Sequence, residues 1–372
     1  MKNSLNYAAR NQALAAYDFG GEITDAIRFG SGHINETFNV SVLRDNNETK
    51  RFILQKINTN VFKNPGQVMD NIIGVTEYLK EKIKQRGGDP SRETLSVLRT
   101  KKGESFFKDS AGGCWRCYEY VEDTFSLDKV EVPDHFYQAA KSFGAFLYML
   151  KDYDASSLYE TIPRFHDTPH RYRSLRRAVI ADKFDRVESA IDEIAFAARH
   201  KKDCSRLFDL QKAGELPCRV THNDTKLNNI LFDPQTGAGI CIVDLDTIMP
   251  GLALFDYGDA VRFGASTALE DEPDLDKVHF DLNLYELYTK GYLEGTDGAL
   301  TPLECECLPW GAKIMTLECG IRFLTDYLQG DTYFRTHYDD HNLVRARTQF
   351  KLVAEMEEHW EEMYEILHKY IG

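Results

Sequence analysis

The sequence predicts an α+β chain in two lobes: a small antiparallel β lobe holding one long helix, then a larger, mainly helical lobe. Three observations predict it. The chain has 372 residues, 42% hydrophobic and 28% charged, which suffices for two packed units around a cleft. Strand-type alternation dominates up to about residue 120, and helical periodicity dominates after about residue 125. The helical part is interrupted once, at residues 218–244, by short apolar strands. The division falls into units 1–120 and 121–372, with a hinge near 118–124.

Each element follows in order. Residues 3–16 read as a leading helix. From Ile27 to Ile57 the pattern is strand-like, with "RFGSGHINETFNVSVLRD" supplying a turn-rich tip and one arm, and "KRFILQKIN" the second arm after the turn "NNET". "NPGQVMDNIIGVTEYLKEKIKQ" carries Val68, Ile72, Val75, Leu79 and Ile83 at helical spacing and stops at Gly87 and Gly88. "TLSVLRT", "ESFFKD" and "CWRCYEYVE" read as further strands. Helices are expected at 134–151, 173–201, 275–294, 309–329 and 342–370.

Composition narrows the function classes. A net charge of −14 and a pI near 5.3 argue against nucleic acid or an anionic membrane as partner. No run approaches the ~18 apolar residues of a membrane span, and the N-terminus lacks the apolar core of a signal peptide. Cys114 and Cys117 form a lone CxxC, and Cys305 and Cys307 a lone CxC, neither with a second pair at zinc-site spacing. The expectation is a cytoplasmic protein with reduced thiols, monomeric or weakly oligomeric.

The chemistry concentrates in "THNDTKLNNILFD", residues 221–233. A strand at Ile230–Phe232 ends in the turn "DPQTG", and "AGICIV" returns to Asp244. In such a hairpin the residue before the first strand meets the residue after the second. Asn229 and Asp244 are therefore brought together, an oxygen-donor pair suited to Mg²⁺ shared with phosphates. His222, Asp224 and Asn229 have the His-x-Asp-x-x-x-x-Asn spacing of a kinase catalytic loop, where the Asp accepts or orients the attacking hydroxyl. Three fixed residue types recur by chance at roughly one in 10⁴ positions, and the hairpin with "IVDLD" makes accident rarer still.

These residues carry a resemblance. The chain resembles the aminoglycoside phosphotransferase and choline kinase superfamily, relatives of protein kinases, in which "DLD" stands for the protein-kinase DFG. Within it the likeness runs to the N-acetylhexosamine 1-kinases, through "GHINETFNV", "FILQKINTNVFKNP", "THNDTKLNNILFD", "CIVDLDTIMPGLALFDYGDAVR" and "CGIRFLTDYLQGDTYF". The resemblance implies a protein-kinase-like fold and transfer of phosphate from ATP, with Mg²⁺, to the anomeric hydroxyl of GlcNAc or GalNAc. It implies Asp224 as base and Asn229 and Asp244 as metal ligands; Lys226 either reaches the transferring phosphate or stands as a solvated surface lysine, and Asp246 either bonds sugar hydroxyls or caps a helix.

On the nucleotide side, Gly30 and Gly32 mark the phosphate-covering tip, and His33 beside them resembles an acceptor contact. Lys56 is favoured as the phosphate lysine on charge, although a strict overlay on V-A-I-K puts Gln55 there; its carboxylate partner is Glu77 or Asp70. Tyr118, Glu119, Tyr120 and Val121 resemble the adenine-reading hinge. Asp256 or Asp259 is expected to hydrogen-bond the catalytic loop from behind. Arg322 sits in an apolar helix face and must find a partner, carboxylate or ligand; the resemblance gives it, with Tyr333, the acetamido group. The rival readings are a kinase for a cationic or amino-alcohol acceptor, which the acidity favours, and a nucleotide-binding pseudokinase, which the presence of Asp224, Asn229 and Asp244 opposes.

Overall fold

Helix α1 (Lys2–Ala16) opens the chain and lies across one face of an antiparallel sheet. The computed structural model describes residues 2–30 and 34–371. Strands β1 (Glu22–Arg28), β2 (Glu36–Leu43) and β3 (Thr49–Ile57) follow, then α2 (Pro65–Gln85), α3 (Pro90–Glu93), β4 (Val97–Leu98), β5 (Phe107–Lys108) and β6 (Cys114–Glu119). The sheet order is β1-β2-β3-β6-β4, with β5 also paired to β6. Strand β1 begins at Glu22, five residues before the expected start. It is an exposed edge strand, so no alternation announces it.

Strand alternation gives the sheet two different faces. Phe52, Leu54, Trp115 and Cys117 join Phe38, Val40 and Val42 against Ala13 of α1 and Tyr17 just beyond its end, and the Tyr17 hydroxyl donates to the Trp115 carbonyl at 2.7 Å. The opposite face, with Gln55, Arg116 and Tyr118, looks toward the rest of the molecule. Cys114 and Cys117, three apart on one strand, therefore fall into different cores and stay free thiols.

Helix α2 starts where predicted, with Asn64 capping Gln67 N–H and Pro65 in the first turn. Its five expected apolar residues are all buried, in the same core as the large lobe. Asn71, in that buried stripe, fixes the attachment. Its amide donates to the carbonyls of Tyr159 (2.8 Å) and Ile248 (2.9 Å) and accepts the Tyr159 N–H (2.9 Å). Asn71→Ala strands these buried backbone groups and should lower stability by about 1–3 kcal/mol in urea melts. An unchanged midpoint would contradict the attachment.

The large lobe comprises α4 (Pro133–Met149), α5 (Thr168–Ala181), α6 (Ile191–Arg199) and α7 (Asp203–Lys212), then strands β7 (Arg219–Thr221), β8 (Ile230–Phe232), β9 (Gly239–Ile242) and β10 (Met249–Gly251). Helices α8 (Ala253–Gly264), α9 (Leu282–Thr296), α10 (Pro302–Glu306), α11 (Leu308–Leu328), α12 (His341–Glu358) and α13 (Trp360–His368) complete it. The single helix expected at 173–201 is two. Asp182 ends α5 with φ +33°, and its carboxylate takes the N–H groups of Arg186 and Val187 at 2.9 and 3.1 Å. The long C-terminal helix likewise divides at His359. Where α8 crosses α11, a Cβ on Gly258 would lie 2.2 Å from the Gly311 carbonyl oxygen. Only glycine permits that approach, which sets α11 directly behind the catalytic loop's supporting helix.

Candidate active site

The loop between β7 and β8 is stitched at both ends. Ile230 pairs with Ile242, the Val243 N–H donates to the Asn229 carbonyl at 2.9 Å, and His222 Nε2 meets the Val243 carbonyl at 2.9 Å. The hairpin thus closes as the spacing predicts. Asn229 Nδ2 donates to the Asp224 carbonyl (2.8 Å) and to its Oδ2 (3.3 Å), while Lys226 Nζ lies 2.7 Å from Asp224 Oδ1. Both carboxylate oxygens of Asp224 are therefore directed. Lys226 is thus engaged by Asp224.

Asp244 lies in the left-handed region at φ +59°, an unusual conformation for a non-glycine residue, and it is open to solvent. Although it opens to the cleft, the protein packed around it strips away enough water, with the negative charges of Asp246 and Asp224 adding to the effect, to push its carboxyl up to about 6. A divalent cation would relieve that crowding. With its nitrogen committed to Asp224, Asn229 has its amide oxygen left for such an ion, so the donor set is all oxygen and fits Mg²⁺.

Helix α8 supports the loop with both expected carboxylates. Asp256 accepts the N–H groups of His222 (2.8 Å) and Asn223 (2.7 Å), and Asp259 accepts that of Thr225 (3.2 Å). Arg262 in turn holds Asp259 at 3.0 Å.

The sheet side corrects several expectations. Lys56 shares the face of Phe52 and Leu54. Its ammonium lies 5.5 Å from the Trp115 ring, away from the cleft, because one step along a strand reverses the face. Gln55 occupies the cleft position. Neither proposed carboxylate reaches it: Glu77 pairs with Lys80 at 2.9 Å on the surface, and Asp70 is exposed. The charge comes from β6 instead. Arg116, 1% exposed, donates from Nε and Nη2 to Gln55 Oε1 at 3.0 and 2.9 Å, and pairs through Nη1 with Asp246. Asp246 Oδ2 accepts from Asn35 at 2.6 Å. The carboxylate assigned to sugar hydroxyls is thus held by two residues of the small lobe. Arg116, Asn35 and Asn71 escaped the sequence reading; an arginine amid the apolar residues of "CWRCYEYV" was the available signal.

Gly30 follows β1 with φ +78°, a turn conformation that glycine adopts without strain. Gly32 and His33 lie outside the described residues. Of the hinge candidates, Glu119 N–H is bonded to Ser96 O (2.9 Å) and Tyr120 N–H to Arg51 O (3.1 Å), while the Tyr118 side chain is buried below the Arg116 guanidinium. Those two N–H groups serve the sheet, not a base. Among the described residues, Val121 N–H has no such engagement.

Arg322 enters a group of aromatic rings: Phe165, Tyr333 and Phe334 have centroids 5.6, 5.9 and 5.4 Å from its guanidinium carbon. Among the described residues it forms no ion pair. Glu318, one turn back, is already bonded to His166 at 2.9 Å and Thr168 at 2.5 Å, and although burial opposes it, the His166 and Thr168 partners beside it and the nearby Arg322 hold its carboxyl below the usual range. Arg171 lies near enough to Arg322 for mutual repulsion, which with burial lowers the Arg171 pKa. The structure brings Tyr333, 64% exposed, beside Arg322. A separate cavity of about 680 Å³ lies behind the loop, lined by Thr225, Leu227, Arg262 and Gln349 among others. None of Asp224, Asn229, Asp244 or Arg322 lines it, so it is distinct from the cleft.

Residues 99–292, more than half of the chain, match the model of a phosphotransferase enzyme family. The whole chain shares its fold with an aminoglycoside phosphotransferase from Alicyclobacillus acidocaldarius subsp. acidocaldarius, at TM-score 0.60 and 12% identity, covering 95% of this chain and 96% of that one. An amicoumacin kinase in complex with AMP-PNP, Ca²⁺ and Ami matches at TM-score 0.57 and 12% identity, covering 96% of each chain. A choline kinase from Cryptosporidium parvum Iowa II matches at 0.54 and 15%, covering 92% and 91%. At these identities the likeness establishes the fold, which is protein-kinase-like. No helix among the described residues is long and apolar enough to cross a membrane.

Proposed function

Since the chain belongs to the phosphotransferase enzyme family, we propose that it transfers the terminal phosphoryl group of ATP to the anomeric hydroxyl of an N-acetylhexosamine, making the 1-phosphate. ATP as donor, with a divalent metal, is supported by the structural neighbour bound to AMP-PNP and Ca²⁺. Asp224 takes the proton of the attacking hydroxyl, its carboxylate aimed by Lys226 and Asn229. Asn229 and Asp244 would hold Mg²⁺, which supplies positive charge against the phosphates when bound.

The observation that carries the acceptor reading is Arg322, a guanidinium set among aromatic rings with no carboxylate of its own. It suits a neutral acetamido carbonyl, a hydrogen-bond acceptor with an apolar methyl beside it. A cationic acceptor is the alternative that the −14 charge and the aminoglycoside and choline kinase neighbours favour. Arg171 and Arg322 together weigh against it, because an ammonium group entering there meets two like charges.

A site built to bond an acetamide rejects sugars lacking one, since its polar groups are left unpaired. Arg322→Ala should erode the preference for GlcNAc or GalNAc over glucose or galactose by about 1–3 kcal/mol in kcat/KM, with ATP affinity nearly intact. ADP release across sugars, amino alcohols and aminoglycosides tests the class. Phosphorus NMR tests the position, since a 1-phosphate couples to the anomeric proton. A 6-phosphate, or aminoglycosides outcompeting acetamido sugars, would sink this reading.

A further inference from the structure

In kinases a lysine on the third strand, paired to a helix carboxylate, ties the sheet to the nucleotide phosphates. Here that strand offers Gln55 to the cleft, Lys56 faces the opposite core, and Glu77 and Asp70 lie on the surface. On β3 and β6, strand alternation puts two other cations on the cleft face. Arg51, at the hinge end, is taken up by Glu122, with Nε–O distances of 3.0 and 3.1 Å. Arg116 is the one that reaches the metal loop, through Asp246.

We propose that Arg116 is a positioning residue for phosphoryl transfer, doing from β6 what the third-strand lysine does elsewhere. It acts through Asp246, two residues beyond the predicted metal ligand Asp244. Its fork spans two partners at once, Gln55 on the sheet and Asp246 in the loop, a geometry a planar guanidinium provides and an ammonium does not. Both charges are almost fully buried, Arg116 at 1% and Asp246 at 4% exposure, so each is tolerable only while the other is present. Asn35, beside the phosphate-covering tip, bonds the same carboxylate and accepts the Asn58 N–H at 2.9 Å. Asn35, the sheet and the loop bearing Asp246 thus meet on one ion pair. The usual pair lies within the small lobe; this one crosses between lobes, so sheet closure and metal-loop position are fixed by a single contact. The inference rests on the family activity and is independent of the acceptor.

The test uses the full chain and Mg·AMP-PNP binding by calorimetry, which needs no acceptor. Arg116→Gln should weaken binding by roughly 10–100-fold, the usual effect of losing a residue that orients a ligand-holding group. Gln55 Oε1 lies 2.9 Å from Arg116 Nη2, so a lysine at position 55 brings its ammonium close to the lost guanidinium. The double variant Gln55→Lys/Arg116→Gln should therefore recover most of the affinity, which a merely structural arginine would not predict. Circular dichroism establishes that each variant is folded. If Arg116→Gln does not fold, the double variant decides alone: affinity within about tenfold of wild type supports the role, and loss of binding overturns it. A folded Arg116→Gln that binds within about twofold of wild type overturns it as well, as does a folded double variant no better than the single.

Discussion

Asp244→Ala is expected to abolish phosphoryl transfer, with a loss of at least about 10³-fold, the rate equivalent of several kcal/mol of charge stabilisation. The reason lies in how the surrounding charges are already committed. Lys226 rests on Asp224 at 2.7 Å, and Arg116 is paired with Asp246. Neither is spare to offset charge building between the β- and γ-phosphates once the metal is lost. Asn229→Ala should be milder and partly rescued by higher Mg²⁺, because a neutral amide contributes less than a carboxylate. The pH dependence follows in sign. With its carboxyl raised to about 6, Asp244 is ionised above that pH and protonated below it, and a proton competes with the cation for the same oxygens. Apparent Mg²⁺ affinity should therefore be full above neutrality and weaken as pH falls through about 6. Titrating Mg²⁺ against ADP release at several pH values checks this. Unchanged metal dependence in both variants would remove the site.

Asp224→Asn should lower kcat by roughly 10²–10⁴, the range of general-base catalysis. The substitution keeps the shape of the side chain and its contact with Asn229, but takes away the proton acceptor and leaves Lys226 facing a neutral amide. Asp224 is partly open to the cleft, so the fold should tolerate the change, and nucleotide affinity should stay near wild type. Stopped-assay rates at saturating substrates, read beside a thermal melt, separate lost chemistry from lost structure. Near-normal turnover in a folded variant would take Asp224 out of the mechanism.

How legible these features were in the sequence varies for physical reasons. The Asn229–Asp244 approach could be read because it depends only on a short hairpin, where turn and register are local. Helix α2 could be read because five apolar residues repeat at one spacing and a proline marks the start. The choice between Gln55 and Lys56 could not be settled from charge, since one step in register reverses every side chain and that register is set by partners such as β6, far along the chain. Arg116 was hidden for a related reason. Strand β6 is buried on both sides and reads as mostly apolar, and its central arginine has meaning only once Asp246, 130 positions later, is beside it. The break at Asp182 escaped because an aspartate inside a helical pattern is ordinary until its carboxylate finds the next backbone amides.

Asn71 also determines where the molecule can bend. In many two-lobed kinases the long helix of the small lobe swings, and that swing is a switch. Here the helix is bolted to Ile248 and Tyr159 and shares the large lobe's core, which Ile57, Cys114 and Tyr118 of the sheet's inner face also join, while the outer face and α1 keep a core of their own. The division between the two cores therefore runs through the sheet itself, not between the sheet and α2. Five strands in a row form a thin plate with one helix on its back and the shared core on its other side. A swing of α2 would have to break the Asn71 bonds and open that shared core at the same time.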